Sequence, residues 1–113
     1  MKTAQFIPLI IITIFILIIL TIISLLLMNN LIILIGNSMY PTINSTSVIK
    51  CVPQDNYSLN DIVCYYNGWQ RVCHRIVGMF NYSWIMKGDN NNYTDYKMYT
   101  NKEISCKVVK IYK

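Results

Sequence analysis

Charge is scarce in this chain, and between Lys2 and Lys50 there is none. Charged residues make up 13% of the sequence and hydrophobic ones 54%, a balance too apolar for an ordinary soluble domain. No cluster of lysine and arginine interleaved with aromatics occurs, so nothing points to nucleic acid as a partner. Cysteine and histidine do not fall together at zinc spacing, and neither a metal nor another cofactor is expected. There is no internal repeat and no second apolar run of spanning length. Histidine occurs once, as His74. The 113 residues have room for one small domain and one accessory segment.

The charge-free stretch is where the apolar residues gather. Residues 6–28 are almost wholly Ile, Leu, Phe and Thr. A helix over 7–28 would be about 33 Å long, enough to cross a bilayer core of about 30 Å. Pro8 falls in its first turn, where the missing N–H costs little. A cleaved signal peptide would instead carry an apolar stretch of about 7–15 residues and a small-x-small cleavage site. This run is longer and ends in Met28, Asn29 and Asn30. The reading is a retained membrane anchor over 1–30, followed by a domain over 31–113. Lys2 and the amino terminus are the only charges on the short flank, so the positive-inside rule keeps that end cytosolic. The domain then lies on the non-cytosolic side. It carries all ten basic residues but Lys2, hence nine, against five acidic ones. That excess reads as a solvated basic surface.

Beyond Asn30 the pattern shifts to short segments rich in β-branched and aromatic residues. Residues 31–35 either extend the helix or form a strand before Gly36-Asn37 breaks the pattern. Strands are predicted over 47–52, 61–66, 69–79, 83–87 and 104–112, with polar loops at 54–60 and 88–95. Asn67-Gly68 signals a two-residue hairpin of type I′. The predicted fold class is mainly β: a small curled or barrel-like sheet after a single transmembrane helix.

Three features could carry chemistry. Ser38 sits in a Gly-Asn-Ser-Met-Tyr-Pro-Thr turn just past the apolar run, a place suited to an exposed nucleophile. His74 lies mid-strand between Cys73 and Arg75. Asp89 and Asp95 share one loop. A serine, an imidazole to take its proton and a carboxylate to fix the imidazole tautomer suffice for a triad.

These segments resemble the type I signal peptidase family. GNSMYPT at 36–42 is similar to its nucleophile box, and NDIVCYY at 60–66 to the Gly-Asp-Ile-Val strand that follows. CHRIVG at 73–78 resembles the general-base box, KGDNNNYTD at 87–95 the Lys-Gly-Asp-Asn box, and SCKVV at 105–109 the closing strand. They occur in family order over about 75 residues, nearly all of the chain beyond the anchor. His74-Arg75 in the base box matches the endoplasmic-reticulum and archaeal branch, where bacterial members commonly have Lys-Arg.

The resemblance implies a membrane-bound serine endopeptidase that cuts signal peptides from exported preproteins, selecting small side chains before the bond. Ser38 would be nucleophile, His74 general base and Asp95 the orienting acid, with Asp89 a structural or supporting carboxylate. The implied partners are signal-peptide-bearing preproteins and the lipid bilayer, with other membrane subunits as further candidates. Gly36 stands where the family often has a serine that helps hold the oxyanion. The Ser38 backbone N–H and the Asn37 amide are left for that task. The stretch between His74 and Lys87 is short, so the cap domain of larger relatives is missing. These departures motivate a rival reading, a catalytically silent membrane-tethered β-domain that binds exported chains or a translocation partner; a further alternative is a related protease with one dedicated substrate.

Cys51, Cys64 and Cys73 fall where valine would serve and are expected to act as small apolar residues. In an exported domain the four cysteines allow three pairings. A two-residue turn would set Cys64 opposite Arg71 and only diagonal to Cys73, so that a disulfide between them would be possible but strained. Asn44, Asn56, Asn81 and Asn92 each open a glycosylation tripeptide, a weak signal in so asparagine-rich a chain.

Overall fold

The computed structural model describes residues 3–113, so Lys2, on which the orientation argument leans, lies outside the described residues. The chain divides into two compact units, Met1–Asn30 and Leu31–Lys113.

In the first unit a short 3-10 turn, Thr3–Gln5, runs into α1 (Phe6–Met28). Isoleucine is an indifferent helix former in water. In hydrocarbon the requirement is different, because every backbone group must be satisfied within the segment. Thr13 and Thr21 meet the same condition by donating their hydroxyls to the Leu9 and Leu17 carbonyls, 2.8 Å in each case. The helix has no buried residue, and the most apolar 18 residues within Thr3–Met28 have a mean hydropathy of 3.3. It is long and apolar enough to cross a membrane. It stops at the asparagines: Asn29 Nδ2 donates to the Leu25 carbonyl at 2.9 Å, and Asn30 turns left-handed with φ 57°. The protein should therefore stay with membranes through an alkaline carbonate wash, and removing residues 1–30 should release it. Extraction of the intact chain by carbonate would refute the anchor.

The second unit is one antiparallel sheet of six strands: β1 (Leu31–Leu34), β2 (Ser47–Val52), β3 (Ile62–Tyr66), β4 (Arg71–Phe80), β5 (Ser83–Lys87) and β6 (Ile104–Tyr112). Their order is β1-β2-β6-β3-β4-β5. The unit is mainly β as expected, but the sheet is open, not barrel-like. Its edges, β1 and β5, do not pair, and at four and five residues they leave few unpaired backbone groups. Residues 31–35 resolve in favour of a strand, with Leu31 paired to Lys50.

Alternation along β3 splits the core between two faces. Val63 and Tyr65 join Ile76, Met86, Trp84 and Tyr99 on one side. Cys64 joins Ile49, Cys51, Cys73 and Cys106 on the other, where Met39 and Ile43 cover it. Met39 and Ile43 are each 1% exposed, and burying such a side chain is worth about 1.5–3 kcal/mol. They fasten the turn that carries Ser38.

The β3–β4 hairpin departs from the two-residue turn. Residues 67–70 form a four-residue loop, closed by the Asn67 N–H to the Gln70 carbonyl at 3.0 Å. The Asn67 side chain accepts the Trp69 and Gln70 N–H groups, an Asx turn in place of the I′ geometry. Cys64 consequently faces Cys73 directly, and the two form a disulfide. Cys51 and Cys106 form a second. The cysteines are buried but paired, which corrects the expectation of small free apolar residues.

Candidate active site

The serine turn is built by close backbone approach. Gly36, at φ 121°, occupies a region that favours glycine, and Tyr40 N–H closes the turn on the Asn37 carbonyl at 3.1 Å. The opposing loop then grips it: Asn90 N–H donates to the Ser38 carbonyl at 2.8 Å, and Asn90 Nδ2 to the Asn37 carbonyl at 3.0 Å. A Cβ on Gly88 would stand 2.6 Å from the Ser38 carbonyl oxygen, so only glycine lets this loop seat against the turn. The Gly-Asp-Asn of 88–90 is in this sense part of the serine's own mounting.

His74 comes from the middle of β4, opposite Val63, and is 7% exposed. Its Nε2 lies 3.1 Å from Ser38 Oγ. On the other side of the ring, Nδ1 lies 2.9 Å from both Asp95 carboxylate oxygens. Asp95 is carried there by the return of the loop, where its N–H donates to the Met86 carbonyl at 2.7 Å. Beyond it the loop is pinned by Tyr99, which exchanges backbone bonds with Trp84. An ionised carboxylate only accepts, so the neutral ring that bonds to it carries its proton on Nδ1. The Nε2 lone pair is then left facing the serine hydroxyl. Ser38, His74 and Asp95 thus form one continuous hydrogen-bonded chain.

Asp89 does not reach the imidazole. Arg75 grips it with both prongs, Nε to Oδ1 at 2.9 Å and Nη2 to Oδ2 at 2.8 Å, and Thr42 Oγ1 donates to Oδ2 at 2.5 Å. The third Arg75 nitrogen donates to the Asn60 carbonyl at 2.9 Å. Asp89 therefore ties β4 to the serine turn through side chains, not by collecting loop N–H groups. The Arg75 fork above all, helped by Thr42 and opposed by burial, holds its carboxyl below the ordinary carboxylate range. A depressed value means stability that is complete above the ordinary pKa of 3.8 and lost as pH falls through the folded value. The thermal midpoint of the wild type should accordingly exceed that of Asp89→Asn at neutral pH, and the gap should close on acidification below about pH 4. A gap that persists unchanged at pH 2 would show that the Asp89 charge is not its source.

Asn37 is exposed, and its carbonyl serves the turn by accepting from the Tyr40 N–H and from Asn90 Nδ2. The Ser38 N–H has no partner within the chain among the described residues. The cleft beside the chain of three residues measures about 610 Å³ and has Leu34, Ile35 and Arg71 in its walls. Tyr65 is the site residue that the sequence did not single out. Buried at 1% exposure, it donates its hydroxyl to Asp95 Oδ2 and stands 3.2 Å from His74 Nδ1. A tyrosine buried in a strand needs a partner for its O–H, and that was the available signal.

Fold and site together define a class: a chain with one membrane-length helix followed in sequence by a small open antiparallel β-sheet that presents a serine–imidazole–carboxylate chain at a cleft. No family model, curated protein or solved structure matches this chain.

Proposed function

We propose that the protein is a membrane-bound serine endopeptidase that removes signal peptides from exported preproteins. The hydrogen-bonded chain from Ser38 through His74 to Asp95, open to a cleft, carries the reading. The Ser38 hydroxyl gives its proton to His74 Nε2 as Oγ attacks the scissile carbonyl carbon. The oxyanion takes a hydrogen bond from the Ser38 N–H. Collapse breaks the C–N bond, and the imidazolium returns the proton to the departing amine. Water then attacks the acyl-enzyme, with the same imidazole as base, and frees Ser38. Asp95 holds the ring in the productive tautomer throughout.

The substrate class rests on two further features. The apolar helix brings the enzyme to the bilayer that holds its inserted substrate, and Leu34 and Ile35 give the cleft an apolar wall. Disulfides persist in oxidising compartments, so the two pairs support a β-domain on the non-cytosolic side and a cytosolic N-terminus. Labelling with a fluorophosphonate should modify Ser38, and a panel of preproteins with differing signal sequences should be cut. Failure of Ser38 to react would favour a silent binding domain, and cleavage of one preprotein alone a dedicated protease.

A further inference from the structure

The position of Tyr65 goes beyond support for Asp95. Its hydroxyl has two partners within reach, Asp95 Oδ2 and His74 Nδ1, the latter at 3.2 Å, but a single proton to give. Its ring is fixed from behind by Tyr99, with centroids 4.3 Å apart, and Lys97 Nζ lies 5.2 Å above the Tyr99 ring. The hydroxyl therefore stays near both acceptors and only rotates about its C–O bond.

We infer that Tyr65 sets the tautomer of His74 according to whether Asp95 carries its charge. With the carboxylate ionised, the stronger acceptor takes the Tyr65 proton. His74 Nδ1 then supplies its own proton to the carboxylate, and Nε2 is free to act as base. Without that charge the Tyr65 O–H turns to Nδ1 as donor. A neutral ring accepting at Nδ1 must carry its proton on Nε2, facing Ser38, where it cannot take the serine proton. Tyr65 is thus a positioning residue that favours activity when Asp95 is ionised and opposes it when Asp95 is absent. Burial, and then Asp95 itself, push the Tyr65 hydroxyl well above its ordinary value, so it remains a proton donor at any working pH.

The inference rests on Ser38, His74 and Asp95 forming a catalytic chain, and its test combines turnover with a signal that needs no turnover. Preprotein cleavage is measured for the full-length wild type, Tyr65→Phe, Asp95→Ala and the double variant Asp95→Ala/Tyr65→Phe. Removing the hydroxyl should lower kcat about tenfold beside the intact Asp95, the loss expected for a hydrogen bond to a charged group. In the Asp95→Ala background the same change should raise kcat about tenfold, because the competing donor is gone. A residue that merely packs would lower it in both backgrounds, and that result overturns the inference.

The only histidine in the chain gives a single imidazole spectrum in ¹⁵N-histidine-labelled protein in detergent micelles. In Asp95→Ala the Nδ1 resonance should move from that of a protonated donor to that of a hydrogen-bonded acceptor, and adding Tyr65→Phe should remove the signature of that hydrogen bond. An Nδ1 signal indifferent to Tyr65 would also overturn the inference. Absence of Ser38-dependent cleavage in the wild type would count against the protease reading, and the imidazole spectrum would still decide the role of Tyr65.

Discussion

Replacing His74 with alanine should abolish preprotein cleavage, by about 10⁶-fold where a serine–imidazole pair acts as a unit. The expected effect is large because the proposed mechanism asks two proton transfers of the ring: taking the Ser38 proton through Nε2 and later protonating the leaving amine. No other group can substitute. Asp95 reaches Nδ1 but not Ser38, and Lys87 donates to the neighbouring Gly88 carbonyl. The fold should persist, since the β3–β4 pairing beside the ring is clamped by the Cys64–Cys73 disulfide. Only a neutral imidazole accepts a proton, so the reaction depends on the ring keeping its Nε2 lone pair toward Ser38. Retained cleavage in His74→Ala would reject the assignment of the base.

The second large effect separates the two loop carboxylates. Asp95→Asn should lower turnover about 10⁴-fold, because an amide in place of the acceptor lets the ring settle in the wrong tautomer. Its thermal midpoint should change little, since the backbone bond to Met86 survives the substitution. Asp89→Asn should behave in the opposite way. It removes the charge held by Arg75 and Thr42, and activity should fall only with the folded fraction. Turnover and thermal midpoint measured on both variants decide between them. The reverse pattern would transfer the orienting role to Asp89.

Much of this arrangement was legible in the sequence. The apolar run, the strands at 47–52, 83–87 and 104–112, and Ser38, His74 and Asp95 as candidates for one site could each be read from local pattern and resemblance, whereas Tyr65 could not. What the sequence hid was register. The Asn67-Gly68 pair suggested a turn of two residues, and the Asn67 side chain instead holds a loop of four. The slip displaces β4 by two residues against β3. An even slip keeps every side chain on its face, so the inside–outside pattern survived. The cross-strand neighbours did not. Cys64 was set against Arg71 and only diagonal to Cys73, which made their disulfide look strained, and His74 was set away from Val63 and hence from Tyr65. Sheet closure was likewise not written in local pattern, because strand alternation is the same in an open sheet and in a barrel. The binding partners of Asp89 were hidden for a third reason. Arg75 and Thr42 come from distant elements, and a tight Gly-Asp-Asn loop suggests local backbone bonds in their place.

The central claim is that Ser38 attacks the scissile carbonyl of a signal-peptide-bearing preprotein. It is tested most directly by incubating such a preprotein with the full-length protein in membranes or detergent, beside Ser38→Ala at equal concentration. The account predicts a shortened product cut after a small side chain with the wild type, and none above background with the variant. Equal processing by both proteins would contradict it.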